Sequence, residues 1–140
     1  MSLNTPARWV GIDYGTQRVG IAMADPLGMV AHPETTVSPG DLVDTLNALN
    51  ATHGIHGVVI GWPCLHDGTP GTLSEAIEPQ IEAIQAALPH AQVVRRDEYF
   101  TSELARQALQ EAGVAQAGRH DKGRVDAAAA ALILQDYLDA

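Results

Sequence analysis

Basic residues and cysteine are what this chain has least of. Eight Lys and Arg stand against seventeen Asp and Glu, a formal charge of −9 over 140 residues. Phosphate neutralisation needs concentrated Lys and Arg, so the composition argues against a broad basic face for nucleic acid and any phosphate contact must be local. The single cysteine, Cys64, rules out an internal disulfide or a thiolate metal cluster within one chain. It also agrees with a reducing compartment. The apolar residues come in short clusters broken by Gly, Pro and Asp, and none approaches the roughly 18 residues needed to cross a bilayer. Met1 to Arg8 carry no signal-peptide pattern, so the expectation is a soluble cytoplasmic protein. No repeat and no Pro/Gly/Ser linker interrupts the chain, and residues 1–140 read as one domain with residues 1–7 a flexible N-terminus. A chain of this size buries about two-thirds of its unfolded surface and needs neither metal nor disulfide for a core.

The apolar runs Trp9 to Ile12 and Val19 to Ala24 flank Asp13-Tyr14-Gly15-Thr16-Gln17 and predict a hairpin. A short strand is expected near Glu34 to Val37. Ser38-Pro39 then offers an N-cap and an N1 proline for a helix carrying Leu42, Val43, Leu46 and Leu49 as far as Gly54. Gly57 to Gly61 is continuously apolar and β-branched, as in a strand covered on both faces. Thr72-Leu73-Ser74-Glu75 has capping-box spacing ahead of the stripe Ile77, Ile81, Ile84 and Leu88, with Pro79 expected to kink or restart that helix. Gln92 to Arg96 predicts another strand, and Thr101 caps a helix through Leu104, Ala108 and Ala112 that stops at Gly113. The last helix runs from about Gly123 to Leu138, with Val125, Ala128, Ala129, Leu132 and Ile133 as its apolar face. The resulting order, β-β-β-α-β-α-β-α, implies an α/β fold. Its mixed five-stranded sheet is an antiparallel meander feeding a parallel half, with helices on both faces.

Ligands in such sheets sit outside the carboxyl ends of the parallel strands. Asp13 ends the first strand and Asp97-Glu98 follows the fifth, so acids are delivered to one rim. Asp126, read as lying in the first turn of the last helix, joins them if that helix packs near the first strand. Gathered carboxylates repel unless a cation neutralises them, and hard oxygen donors without cysteine suit Mg²⁺ or Mn²⁺. Each acid also has a plainer reading: Asp13 as a turn former, Glu98 as a solvated loop acid, Asp126 as a helix-dipole partner. Arg119, Lys122 and Arg124 concentrate three of the eight basic residues and read as a local phosphate clamp or as a solvated loop. Cys64 and His66 are too few to make a zinc site, and Glu75, Glu78 and Glu82 fit the solvated face of a helix.

Gly11-Ile12-Asp13-Tyr14-Gly15-Thr16 with Arg18 to Ala22, Gly61-Trp62-Pro63 with Asp67-Gly68-Thr69, Asp97-Glu98, and Lys122 with Val125 to Ala128 occur in that order along the chain. Together they resemble the YqgF/RuvX family from about Trp9 to Leu138. That family is described as nucleases of pre-16S rRNA and, earlier, as Holliday junction resolvases. The resemblance implies an RNase H-like fold in which Asp13, Glu98 and Asp126 stand at the three acidic positions that bind metal and catalyse. It further implies two divalent ions, with Asp13 bridging them, that activate water for in-line attack and leave a 5′-phosphate and a 3′-hydroxyl. Arg18, Arg119, Lys122 and Arg124 would meet phosphate. Tyr99 stands where the family commonly has an arginine; it either stacks on an unpaired base or packs internally.

Three other readings stay open at this level. One is cleavage of four-way DNA junctions, for which symmetric cutting asks for a homodimer rather than a monomer. Another, from Asp13-Tyr14-Gly15-Thr16, is the phosphate-binding turn of actin-like and sugar-kinase ATPases, which close two such domains around ATP. The last is an RNA- or ribosome-binding protein with a weakened site.

Overall fold

The computed structural model describes residues 8–62, 74–97 and 122–140. Strands β1 (Arg8–Tyr14), β2 (Val19–Ala24) and β3 (Ala31–Val37) form an antiparallel meander. On its other side β1 pairs in parallel with β4 (Ile55–Trp62), which pairs in parallel with β5 (Gln92–Asp97). The sheet order is β3-β2-β1-β4-β5, with β1 central and the antiparallel meander joined to a parallel half as expected. The helices are α1 (Leu42–His53), α2 (Ser74–Ala87) and α3 (Lys122–Leu138). None of the described helices is long and apolar enough to cross a membrane. The expectations for residues 1–7, for Thr72, for Cys64 and His66, and for a helix after Thr101 fall outside the described residues.

Strand alternation divides the core into two layers. Val10, Ile12 and Tyr14 of β1, Ile21 and Met23 of β2, and Val58 and Ile60 of β4 face Leu42 and Leu46 of α1 and Ile77, Ile81 and Ile84 of α2. On the opposite face Ala22, Ala24 and Val59 meet Ala130, Ala131, Ile133 and Leu134 of α3. β4 is covered on both sides, which explains its unbroken apolar run.

Four expectations need correction. β3 begins at Ala31 rather than near Glu34 and includes Pro33; β3 is an edge strand with a register shift at this point, and both features tolerate a residue without an N–H. Ser38-Pro39 opens a short 3₁₀ turn, Pro39–Asp41, instead of capping α1 directly. The Ser38 hydroxyl donates to Asp41 Oδ2 at 2.9 Å, and Asp41 holds the N-cap position of α1. Of the kink or restart expected at Pro79, the restart does not occur: α2 is one helix with Pro79 inside it. Proline removes the bond to the carbonyl of Glu75, an exposed first-turn residue, so water can satisfy that group.

The fourth correction concerns the phase of α3. Its buried positions include Ala127, Ala129, Ala130, Ala131, Ile133 and Leu134, whereas Leu132 is 37% exposed and Ala128 is half-buried. Residues 127–134 are uniformly apolar, so their pattern specifies a helix without specifying which side faces inward. Two glycines do that. A Cβ on Gly11 would lie 2.6 Å from Leu134 Cβ and 2.7 Å from the Ala130 carbonyl, and one on Gly20 would collide with the Asp126 carbonyl. Asp126, Ala130 and Leu134 are spaced four apart, a single ridge laid across the two bare positions of β1 and β2.

A methyl group at Gly20 has backbone, not a yielding side chain, in its way. Gly20→Ala is therefore expected to destabilise the protein by about 3 kcal/mol or more. Gly40→Ala, at a position with open space around it, should change stability by less than about 0.5 kcal/mol. Urea unfolding of the two variants beside wild type measures both.

Candidate active site

Asp13 is the penultimate residue of β1. Its neighbours Ile12 and Tyr14 belong to the layer under α1 and α2, so by alternation Asp13 faces α3, as Gly11 does. It is half-buried and has a polar partner in the structure. Its backbone is paired with β2, and the pairing of β1 with β4 reaches its neighbour Ile12.

Across the antiparallel ladder Asp13 is paired with Gly20, a separation of roughly 5 Å between Cα atoms. Gly20 is the residue on which the backbone of Asp126 rests. The missing side chain at position 20 therefore brings a helix residue 113 positions further along the chain next to Asp13 on one face of the sheet. Asp126 is the fifth residue of α3, not a first-turn residue as expected, because the helix already begins at Lys122. The helix dipole is largely spent by that depth. A side chain supplies the compensating charge instead.

That side chain is Arg18, directly before β2. Its Nε donates to Asp126 Oδ2 at 3.0 Å, with the two side chains 40% and 26% exposed. From the sequence Arg18 is expected at phosphate and Asp126 has no expected protein partner. The pairing depends on residues 108 apart meeting, and no local pattern carries that information. A signal for the underlying close approach was present, since glycines inside strands at Gly11 and Gly20 mark places where another backbone comes near.

Of the other expected site residues, Lys122 and Arg124 lie in the first turn of α3, at the same end of the helix as Asp126. Glu98, Tyr99 and Arg119 lie outside the described residues. Asp97 closes β5 level with Trp62 of β4, and Ile60 of β4 pairs with Ile12, so the strand ends bearing Asp13 and Asp97 share a rim. One strand, β4, lies between β1 and β5, so they are two steps of about 4.8 Å apart, or roughly 10 Å in total. Among the described residues no three His, Cys, Asp or Glu side chains converge as a metal site.

Arg95 and Arg96, just before Asp97, were not singled out from the sequence. Each is engaged in structure: Arg95 stacks over Trp62 at 4.4 Å and pairs with Glu78 at 2.9 Å. Arg96 pairs with Asp136 at 2.7 Å beside Tyr137. They tie β5 to α2 and α3 respectively, from opposite faces of the sheet.

The solved structure of T. thermophilus RuvC in complex with Holliday junction substrate superposes with a TM-score of 0.55 at 18% identity, over 91% of each chain. At that identity the likeness speaks for the fold, which is RNase H-like. A family model described as RuvX: Holliday junction resolvase matches residues 7–140, and the chain belongs to that family. A relative from Salinibacter ruber, named "Putative pre-16S rRNA nuclease", is 51% identical over 138 residues, covering 99% of this chain and 96% of its own length. One of the same name from Chlorobaculum tepidum is 37% identical over 139 residues, covering 99% and 98%.

A partly exposed ion pair contributes little to stability, yet this one joins the last helix to the first hairpin. A double-mutant cycle of Arg18→Gln and Asp126→Asn, followed by urea unfolding, is expected to give a coupling of about 0.5–1 kcal/mol. Zero coupling would mean that the pair does not persist in solution.

Proposed function

We propose that this chain is a metal-dependent nuclease that hydrolyses phosphodiester bonds in 5′-end maturation of pre-16S rRNA, with Asp13, Glu98 and Asp126 as its catalytic and metal-holding acids. The observation that carries the reading is the seating of the Asp126 backbone on Gly20, the ladder partner of Asp13. Two acids far apart in sequence thereby share one end of one sheet face. Family membership and the names of the relatives supply the reaction class.

The donor set fits Mg²⁺ or Mn²⁺. Asp13 and Asp126 offer carboxylate oxygens, the hard donors these ions prefer, and Asp126 already draws a cationic group to itself. When bound, such ions supply Lewis acidity toward a phosphoryl oxygen and lower the pKa of attacking water. The remaining work belongs to the chain. Asp13 holds its carboxylate near the end of the central strand, paired with β2 and next to the last β4 pairing at Ile12, which limits the reorganisation needed during reaction. Asp126 enters from α3 and Glu98 from beyond β5, so three separate elements would surround the reacting phosphate. Arg119, Lys122 and Arg124 are proposed phosphate contacts and Tyr99 a stacking contact to an unpaired base; such contacts position a strand without reading its sequence. Arg18 belongs to the same group of proposed contacts. The protein is read as cytoplasmic, acting as a monomer or homodimer.

A second reading is favoured by the description of the family model: structure-selective cleavage of four-way DNA junctions. One panel separates the two. It holds 5′-extended ribosomal RNA, single-stranded RNA and DNA, and four-way junctions, each with Mg²⁺ and with Mn²⁺. The expected result is cleavage of the ribosomal precursor, falling on the order of 10²-fold or more in Asp13→Asn. Junction cleavage with the precursor untouched would transfer the assignment to the second reading. Equal rates for wild type and Asp13→Asn in nuclease-free preparations would remove the catalytic reading.

A further inference from the structure

Arg18 and Asp126 form a pair between a cation expected to bind phosphate and an acid expected to bind metal. While bound to each other, each partner weakens the other's expected work. Asp126 Oδ2 accepts from Arg18 Nε, so part of the carboxylate's charge is offset by the guanidinium and the guanidinium is drawn toward a carboxylate before it meets a phosphodiester. The pair is also loosely held. Arg18 is 40% exposed at a strand entrance and carries a long side chain, so a change of partner needs rotamer changes and no movement of the sheet.

Electrostatics gives such an exchange a direction. While Asp126 holds no cation, Arg18 is attracted to it and relieves the repulsion between neighbouring acids. A divalent cation on the same carboxylate brings two positive charges within a few Å of the guanidinium, and the net attraction on Arg18 is lost. A phosphate held at the cation then becomes the nearest unsatisfied anion, and its oxygens match the guanidinium fork as well as a carboxylate does.

We propose that Arg18 is a transferable cation: it neutralises Asp126 in the metal-free protein and passes to the substrate's phosphate backbone when a divalent cation takes Asp126. Arg18 is thus a positioning residue whose availability is set by the charge on Asp126. The proposal rests on the metal-dependent nuclease reading and adds to it a coupling between metal and nucleic acid, reciprocal by linkage. In a chain with eight basic residues against seventeen acidic ones, one arginine would serve two anions in turn.

Two measurements without turnover test this. In calorimetric titration with Mn²⁺ alone, Arg18→Gln should bind the ion about three- to tenfold tighter than wild type, because a competing cation is gone. Arg18→Lys, which keeps the charge, should stay near wild type. The second measurement is the salt dependence of binding to a fluorescent single-stranded oligonucleotide, its integrity checked after each run. In EDTA, wild type and Arg18→Gln should share one slope, and in Mn²⁺ wild type should be steeper by about 0.7, one phosphate contact. Asp126→Asn should show that steeper slope already in EDTA, since Arg18 is released without metal. An Asp126→Asn slope equal to wild type in EDTA, or Mn²⁺ affinity unchanged or weakened in Arg18→Gln, overturns the proposal. Absence of Mn²⁺ binding by wild type instead overturns the metal reading beneath it, and the EDTA comparison still judges the release of Arg18.

Discussion

The backbone of α3 lies so close to the sheet that two residues beneath it can have no side chain. Gly11 and Gly20 are those residues, and the ridge Asp126, Ala130 and Leu134 occupies the space a Cβ would need. Close approach of this kind maximises contact between a small-residue helix and a flat sheet, and it fixes the helix in rotation as well as in height. Most other features of the candidate site follow from it. Asp126 is held beside the ladder partner of Asp13 because the carbonyl of Asp126 rests on Gly20. The alanines of α3 are the matching half of the arrangement, since larger side chains would lift the helix away from β1 and β2.

The charge of Asp126, brought to the sheet end that carries Asp13, is offset locally. A chain of charge −9 has few cations to spare. Arg95 and Arg96 are engaged in holding β5 to the helices on either face, while Arg18 is placed against Asp126. The distribution suits an enzyme whose grip on a polyanion depends on bound cations and a few contacts more than on a basic surface. Affinity built this way is modest and depends on the site being complete.

Much of the fold could be read from composition and spacing, for reasons visible in particular elements. β4 is buried on both faces and announces itself as a continuous apolar run. Ile77, Ile81 and Ile84 reveal α2 because they are the large apolar residues among Glu75, Glu78, Gln80, Glu82 and Gln85. Information was missing wherever the deciding contact was non-local. The uniform apolarity of residues 127–134 could not say which side of α3 faces the sheet, and residues of β1 and β2 decide it. β3 was only half legible, since Ala31-His32-Pro33-Glu34 lacks apolar alternation and is held by its register with β2. At the site, the end of β1 identified Asp13, and the position of Asp126 on the same face followed once α3 was seated. Its partner Arg18 could not be inferred, because a salt bridge between partly exposed residues leaves no periodic trace.

Paramagnetic broadening of backbone amide signals by substoichiometric Mn²⁺ shows whether a divalent cation binds between Asp13 and Asp126. The account predicts that signals of residues 12–14, of Arg18 to Gly20 and of Asp126 and Ala127 disappear first. Those of the β2–β3 turn, where exposed Asp25 accepts from the amides of Met29 and Val30, should persist at the opposite end of the hairpin. Broadening centred on that turn or on the exposed C-terminal acids, with the residues around Gly20 unaffected, would contradict it.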